Sequence, residues 1–500
     1  MKIPFFGFVP RGLKYVLVCA AVFFLVMYVV IALSRVSYPF EIEWMEGGAV
    51  IHVQRLLLGE KLYVPPSIHF TPFIYNPLYF YVAAAVSKII GVGFFPLRLV
   101  AFISSLGCFA VIFFLVRQET RSSFSAFVSL GLFTATFKAC GAWFDIGRVD
   151  SLFLLFFLLA IYVLRQKDSP GYVALAGILI VLSFMAKQTA LVMSLPIMLY
   201  LLVYKRPAFL VFTLVVFVSI AASALVLDWL HDGWYSYYIY YLPRHFPIAM
   251  PLFLVLFWTG DLAGPMAIAC CLAIFYFLSG FNRSKEPPEV IYFFTTAGML
   301  LGSWMSRVAL WGWDNALMPA YAVLCILFGM SMHKALRWIE EMLDSKKTMM
   351  QSFIYLVCLV QFASLTYNPV KLVPTRADLA AGKQFIERLK SFPGDVFIPY
   401  HPYYAVMAGK NPYALSICMS DVWRGDNGPI AANLVTQLKQ ALDEKRFSAV
   451  IVDTDVDLLG LYIGEFYTDN GSAFSKERVF FPVTDLPMRP SRIYVPGKAH

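Results

Sequence analysis

Charged residues are scarce in this sequence. Asp, Glu, Lys and Arg make up only 14% of the 500 residues, whereas 60% are hydrophobic and the mean hydropathy is +0.69. A soluble globular chain carries roughly a quarter charged residues. The composition therefore excludes an ordinary soluble protein and predicts an α-helical, multi-pass (polytopic) integral membrane protein.

Several other signals are missing as well. Seven of the eight cysteines lie in apolar runs and Cys418 lies in the polar C-terminal segment, so their spacing gives neither a disulfide framework nor a Cys/His metal motif. No internal repeat is present. No small-residue cleavage site follows the first apolar run, which we therefore expect to be retained. The net charge of +9 does not indicate nucleic-acid binding, because the basic residues cluster in short loops between apolar runs.

Apolar runs and basic turns together predict a topology. Residues 15–34 are long enough to cross a bilayer, and three basic residues precede them, which predicts a cytoplasmic amino end. Further apolar runs lie near 98–116, 124–140, 151–164, 172–186, 190–204, 208–227, 251–280, 291–306, 316–332 and 351–366. The turns expected in the cytoplasm contain Arg117 with Arg121, Arg165 with Lys167, Lys205 with Arg206, Arg283 with Lys285, and the basic residues between 333 and 347.

This alternation predicts about eleven membrane spans, with a range of roughly 10 to 13. The count requires that residues 77–92 do not cross the membrane. That stretch is short and is bounded by Asn76-Pro77 and Gly91, so we expect an interfacial or re-entrant helix. The predicted location is a bacterial inner or plasma membrane, with the first outer loop at 35–97 and the active site on the extracytoplasmic side.

The sequence changes character near residue 367. Residues 1–366 form the predicted transmembrane domain, and 367–500 read as a soluble, extracytoplasmic α/β domain. Thr375 and Asp378 form a capping box before a helix, and apolar residues between 430 and 442 repeat at helical spacing. The runs 395–398 and 449–452 are typical of buried strands.

An acidic patch, Glu41, Glu43 and Glu46, follows the first predicted span. The topology places further ionisable residues on the same side, including Arg98, Asp145, Arg148, Asp150, Lys187, Arg244, His245, Arg307 and Asp314. Charges at span boundaries are costly and mark functional sites by default, although any single one can instead form a structural pair. Carboxylates can act as general bases, while Lys and Arg can hold a phosphate leaving group. The mixture favours group transfer from a phosphate-linked donor.

A series of short motifs resembles one membrane family in order and spacing. They are Glu43-Trp44-Met45-Glu46-Gly47, Leu57-Leu58-Gly59-Glu60-Lys61-Leu62-Tyr63, Tyr75-Asn76-Pro77-Leu78-Tyr79-Phe80, Gly91 and Arg98, Gly147-Arg148-Val149-Asp150-Ser151-Leu152, Ala186-Lys187-Gln188-Thr189 and Asp314-Asn315-Ala316-Leu317-Met318-Pro319. Over roughly residues 10–335 the chain is similar to the C-type glycosyltransferases, which include the dolichyl-phosphate-mannose protein mannosyltransferases and the bacterial aminoarabinose transferases.

The resemblance implies a hexosyl- or pentosyltransferase that uses a polyprenyl-phosphate sugar and inverts the anomeric centre. The acceptor is a glycan, a lipid or a protein. Met45 stands at the family's aspartate position, so Glu46, or else Glu43, is expected to be the base. Lys187, with Arg148 or Arg244, is expected to hold the donor phosphate. The expected substrate-binding residues are Asp150, Tyr75, Asn76, His245 and Asp314.

The resemblance leaves a divalent metal open, because some relatives use one at an acidic second loop. One carboxylate per loop is a poor ligand set, so no cofactor is expected. Two other functions compete with this prediction. A lipid-linked saccharide flippase or transporter predicts charges at the bilayer midplane and paired repeats, and this chain shows neither. A polysaccharide ligase or polymerase predicts a long outer loop between late spans, whereas the large outer segment here is the C-terminal one.

Overall fold

The computed structural model describes residues 8–247, 251–280, 288–309, 312–342, 344–453 and 457–497. The predicted basic turn at Arg283 and Lys285 lies outside these residues. The chain is mostly helical. The helices before residue 367 are α1 (Phe8–Arg35), α2 (Glu46–Leu57), α3 (Leu78–Ile90), α4 (Phe94–Thr120), α5 (Ser123–Ala135), α6 (Asp150–Leu164), α7 (Pro170–Ala186), α8 (Thr189–Tyr204), α9 (Arg206–Leu230), α10 (Trp234–Ser236), α11 (Leu242–Arg244), α12 (Leu252–Leu256), α13 (Gly264–Leu278), α14 (Pro288–Val308), α15 (Met318–Glu340) and α16 (Asp344–Ala363).

A helix covers most of every apolar run predicted to cross the membrane. Within the described ranges, five helical segments are long and apolar enough to span a bilayer by themselves: Val9–Arg35, Phe94–Thr120, Arg206–Leu230, Leu252–Leu278 and Asp314–Glu340. Shorter apolar helices, α3 and α5 to α8, accompany them. The chain is therefore a multi-pass membrane protein, whereas the count of eleven spans stays a prediction. Residues 77–92 form the 13-residue helix α3, which is shorter than a bilayer-crossing helix.

Two π-helical turns interrupt the region between α10 and α13, at Tyr237–Tyr241 and Phe257–Ala263. The second turn continues α12 into α13, and the backbone kinks at Met266, where φ is −120° and ψ is 24°. π-Helical turns of this kind are frequent at functional sites.

The C-terminal segment contains α17 (Arg376–Lys390), α18 (Tyr403–Met407), α19 (Ser416–Gly425) and α20 (Pro429–Asp443). Its strands are β1 (Val396–Phe397), β2 (Ala449–Val452), β3 (Asp457–Leu458), β4 (Leu461–Tyr462), β5 (Tyr467–Ser472) and β6 (Arg492–Pro496). One sheet has the order β1-β2-β6-β5, in which β1 and β2 are parallel and the other two pairings are antiparallel; β3 and β4 form a separate hairpin. The predicted capping box is present, because Thr375 Oγ1 accepts from the Asp378 N–H and Asp378 accepts from the Thr375 N–H.

The C-terminal segment packs directly on the first loop. One continuous apolar core contains Trp44 and Leu62 from the beginning of the chain and Leu415 and Leu434 from α19 and α20. Backbone hydrogen bonds add to this packing, since Ala414 N donates to Ile68 O at 2.8 Å and Thr484 N donates to Ile42 O at 3.1 Å. The start and the end of the chain are therefore joined at the site described next.

Candidate active site

Glu46 and Arg98 form a buried pair beneath the first loop. Arg98 donates from Nε to Oε1 at 3.0 Å and from Nη2 to Oε2 at 2.6 Å, and the N–H groups of Gly147 and Ile42 complete the set at 2.7 and 2.9 Å. Burial by itself raises the pKa of Glu46, but Arg98 and these hydrogen bonds outweigh it, so the net shift is downward. Glu46 is thus held ionised with both oxygens occupied, which suits a structural anion better than a base.

Glu43 has different surroundings. Its side chain is 0% exposed, and its Oε2 accepts from Arg148 Nη1 at 3.3 Å. Burial raises the pKa of Glu43, Arg148 lowers it, and the carboxyls of Asp485 and Glu46 raise it again, which leaves it well above the ordinary range. Glu43 therefore binds a proton more tightly than Glu46 does.

Arg148 connects Glu43 to the predicted substrate residue Tyr75. Its Nη2 donates to the Tyr75 hydroxyl at 3.0 Å, and its guanidinium lies over the rings of Trp143 and Tyr75, at 5.0 and 5.5 Å from their centroids. Burial acts to lower the pKa of Arg148, but the surrounding acidic groups raise it, so the guanidinium stays charged. A rigid, charged guanidinium at this position is suited to binding a phosphate.

Lys187 is the second cation of the site. It follows the last residue of α7, and its Nζ donates to Asp150 Oδ1 at 2.7 Å. Asn315 Nδ2 donates to the same oxygen at 3.0 Å, while the buried Oδ2 of Asp150 has no hydrogen-bond partner among the described residues. Asp150 therefore fixes the direction of the lysine and keeps one acceptor oxygen free.

A cavity of about 500 Å³ lies beside these groups. Its walls include Trp44, Met45, Phe73, Tyr75, Trp143, Arg148, Lys187, Gln188, Phe246, Leu254, Trp304, Met305, Trp313, Asn315, Ile417, Asp421, Asp485 and Leu486. Both cations, Arg148 and Lys187, thus share one space with several aromatic rings. This volume lies in the range of small-molecule sites, and a mostly apolar lining with a few polar groups is typical of them.

The C-terminal segment supplies two carboxyls to the cavity wall, Asp421 and Asp485, which sequence reasoning missed. Trp44 Nε1 donates to Asp485 Oδ2 at 3.0 Å. Burial is the largest influence on the pKa of Asp485 and raises it, and burial likewise raises the pKa of Asp421 to about 7. Both carboxyls lie in stretches without a motif, so no local signal marked them.

Tyr75, Arg148 and Lys187 are the predicted site residues that line the cavity, whereas Glu43, Glu46, Asp150 and the remaining ones lie outside its walls. Asn76 is buried, donates to Phe184 O at 2.7 Å and accepts from the Tyr235 hydroxyl at 2.8 Å. The Arg244 guanidinium lies over two tyrosine rings, and the exposed His245 ring meets the Tyr241 carbonyl. Asp314 lies 3.3 Å from Arg307.

Glu41, the first member of the acidic patch, contacts the C-terminal segment instead of the cavity. Its Oε2 is hydrogen-bonded to His401 Nδ1, and His401 Nε2 lies 3.1 Å from Asp453 Oδ2. All three side chains are buried. Burial lowers the pKa of His401, but the two flanking carboxylates outweigh it and raise it from 6.5 to about 10. This charged triad fixes the first loop to the C-terminal segment.

In the described part of the chain, no group of three or more His, Cys, Asp or Glu side chains has the geometry to hold a metal ion. The described residues therefore offer no ligand set for the divalent metal that the resemblance leaves open, and the expectation of no cofactor stays a prediction.

Comparisons with known proteins bear on this geometry. The family model for dolichyl-phosphate-mannose-protein mannosyltransferases matches residues 72–231. That range contains Tyr75, Arg148, Asp150 and Lys187. The resemblance to the C-type glycosyltransferases is confirmed. A search of the curated proteins gave no significant match.

The similarity to the ArnT structures extends over 95% of this chain. ArnT from Cupriavidus metallidurans bound to undecaprenyl phosphate has a TM-score of 0.60 and 10% identity, covering 95% of this chain and 97% of that chain. Its apo state gives 0.61 at the same identity and coverage. The Archaeoglobus fulgidus oligosaccharyltransferase, in complex with Zn and sulfate, gives 0.49 at 12% identity, covering 88% of this chain and 68% of that chain. This protein therefore has the fold of ArnT.

Proposed function

We propose that this protein is an inverting glycosyltransferase that moves a sugar from a polyprenyl-phosphate donor to an acceptor glycan, lipid or protein at the extracytoplasmic face of the membrane. The observation that carries the proposal is the placement of Lys187 and Arg148 in one cavity with an acidic wall. ArnT has the same fold and binds undecaprenyl phosphate, which supports a polyprenyl-phosphate donor.

The cationic side of the cavity suits the phosphate of the donor. Lys187 is held by Asp150 and Arg148 by Glu43, so both charges are positioned before a ligand arrives. As the bond from the anomeric carbon to the phosphate oxygen breaks, negative charge develops on the leaving phosphate. Fixed cations in a desolvated site stabilise that charge. In this proposal Asp150 and Tyr75 position the two cations.

The apolar side of the cavity suits the polyprenyl chain. Leu254 and Met305 line the cavity. Around them, the faces of α12 and α14 expose large apolar side chains, including Leu252, Phe253 and Leu256. An exposed apolar surface continuous with a cavity fits a lipid tail that enters from the bilayer. The donor would therefore lie with its chain along α12 and α14 and its phosphate at Lys187.

The acidic side supplies the base. Of the two glutamates implied by the resemblance, we assign this role to Glu43, because Glu46 is committed to Arg98 and two backbone N–H groups. The acceptor O–H or N–H loses its proton to Glu43 as its oxygen or nitrogen attacks the anomeric carbon. The polyprenyl phosphate leaves from the opposite side, which inverts that carbon.

The remaining predictions belong to the same proposal. We place the cavity and the C-terminal segment outside the cytoplasm, with about eleven spans in the membrane. Four predicted site residues do not line the cavity: Arg244, His245, Asn76 and Asp314. We propose that they support its wall. A divalent metal has no role in this scheme.

The test uses purified protein in vesicles. Undecaprenyl-phosphate sugars carrying a radiolabelled hexose or pentose are supplied with a cell-envelope extract as acceptor. We expect label to move from the lipid to the acceptor fraction and free undecaprenyl phosphate to accumulate. Movement of intact donor between leaflets without loss of its sugar would contradict the proposal and indicate the flippase alternative.

A further inference from the structure

Two side-chain amides, Gln188 and Asn315, lie on the cavity wall beside Lys187. Gln188 is the next residue in the chain after this lysine. Asn315 comes from the short helical turn before α15, yet its Nδ2 and the Lys187 Nζ donate to the same oxygen, Asp150 Oδ1, at 3.0 and 2.7 Å. Both amides are therefore close neighbours of the cation to which we assign the donor phosphate.

The NH2 group of each amide is already used by the protein. Gln188 Nε2 donates to Ile74 O at 2.8 Å, and Asn315 Nδ2 donates to Asp150. These bonds fix which end of each amide is which, because only the nitrogen can donate to an oxygen acceptor. Gln188 Oε1 is buried and accepts no hydrogen bond from the described residues, and Asn315 Oδ1 likewise receives none from them. A buried acceptor of this kind indicates a donor that comes from a ligand.

A sugar fits these two oxygens and a phosphate does not. The phosphodiester of a polyprenyl-phosphate sugar carries no O–H, so all its free oxygens are acceptors, whereas each sugar hydroxyl can donate. The sugar is bonded to the phosphate through its anomeric carbon, which makes the hydroxyl on the next carbon, the 2-hydroxyl, the nearest one to the phosphate. With the phosphate at Lys187, this hydroxyl is the group placed to reach the two amides. The indole rings of Trp304 and Trp313 on the same wall offer apolar surface to the sugar ring.

Resting on the function proposed above, we propose that Gln188 and Asn315 are specificity-determining residues whose carbonyl oxygens accept hydrogen bonds from the donor sugar, above all from its 2-hydroxyl. The substrate class is therefore a polyprenyl-phosphate hexose or pentose with a free hydroxyl on the carbon next to the anomeric carbon. A 2-deoxy sugar leaves the carbonyl oxygens without a donor in a desolvated site and binds more weakly.

Equilibrium binding to the vesicle-embedded protein tests the subsite without an acceptor or turnover. The ligands are undecaprenyl-phosphate glucose, undecaprenyl-phosphate xylose and the 2-deoxy form of each. In wild type we expect at least one of the two sugars to bind roughly 3- to 10-fold more tightly than its 2-deoxy form, the usual effect of one hydrogen bond. In the double variant Gln188→Leu with Asn315→Leu this ratio is expected to fall to about one, and the single variants divide the effect between the two residues.

Gln118→Leu is the matched control, because Gln118 Nε2 also donates to a carbonyl oxygen, Arg165 O at 2.7 Å, but the residue does not line this cavity. It is expected to keep the wild-type ratio. If the double variant loses affinity for a sugar and its 2-deoxy form by the same factor, the amides act only on the structure and the proposal is overturned. A wild-type ratio of one for both sugars overturns it as well. If wild type prefers the 2-hydroxyl but transfers no sugar, the proposed function fails and the subsite stands.

Discussion

Arg98 meets Glu46 through two parallel hydrogen bonds of 3.0 and 2.6 Å, with both side chains almost fully buried. Arg98 also donates to the carbonyls of Arg35 and Tyr38, at 3.3 and 2.6 Å. The pair thus links the end of α1, the start of α2 and the beginning of α4. Glu46 belongs to the acidic patch and resembles a catalytic residue. In this structure its contacts instead support the first loop.

Glu46→Gln should therefore lower the stability of the protein much more than its turnover. Removing one member of a buried ion pair typically destabilises by about 3–5 kcal/mol, because the other charge remains buried without its partner. We expect a lower midpoint of thermal unfolding in detergent, with turnover per folded molecule close to wild type. Glu60→Gln is the control, since Glu60 pairs with Arg55 at the surface. Loss of turnover at unchanged stability would show that Glu46, and not Glu43, is the general base.

Lys187→Met should weaken donor binding. The substitution removes a charge-assisted contact to phosphate, which corresponds to an affinity roughly 10- to 100-fold lower. The measurement is the affinity of the vesicle-embedded protein for undecaprenyl phosphate. Lys205→Met is a matched control, because Lys205 also pairs with one aspartate, Asp168, at 2.6 Å but lies between α8 and α9. Equal affinities of the two variants would indicate that Arg148, and not Lys187, binds the donor phosphate.

His401→Gln should destabilise the protein at neutral pH and much less at high pH. The folded-state pKa of His401 is raised from 6.5 to about 10, so its stabilising charge is fully present below pH 6.5 and is lost as the pH rises through about 10. We expect the difference in unfolding midpoint between wild type and variant to shrink over that window. The exposed His245→Gln serves as the control for general alkaline effects. A difference that is constant with pH would mean that His401 is neutral in the fold.

A cysteine at position 439 should be accessible from outside the cell. Lys439 is exposed on α20, and the proposed topology places it outside, whereas the exposed Lys167 follows α6 on the predicted cytoplasmic side. We expect a membrane-impermeant thiol reagent to label Lys439→Cys in intact cells and Lys167→Cys only after lysis. The unmodified chain gives the background from the native cysteines. The reverse pattern would invert the topology.

Local patterns predicted much of the fold. The capping box at Thr375 starts α17 at Arg376, and the apolar run at 449–452 forms β2. These predictions succeed because a cap and a short strand depend on neighbouring residues. The short stretch at 77–92 likewise forms the single helix α3, bounded by Pro77 and Gly91.

The site could be predicted only where its residues belong to motifs. Arg148 and Lys187 fall on the cavity wall as the resemblance implied, since each lies in a segment similar to the family's. Asp485 could not be found in this way, because 441 residues separate it from Trp44 and their contact exists only in the tertiary structure. The sequence favoured Glu46 over Glu43 by its place in the motif, whereas the ion pair of Glu46 with Arg98 depends on three-dimensional position and left no local signal.

The contact between Trp44 and Asp485 also bears on how the protein is made. During synthesis the first loop leaves the ribosome more than four hundred residues before its partner. The helices of the first half are complete while the cavity still lacks one wall, so a nascent chain can enter the bilayer without a working centre. The wall that contains Asp485 can form only after residues 484–486 have also left the ribosome.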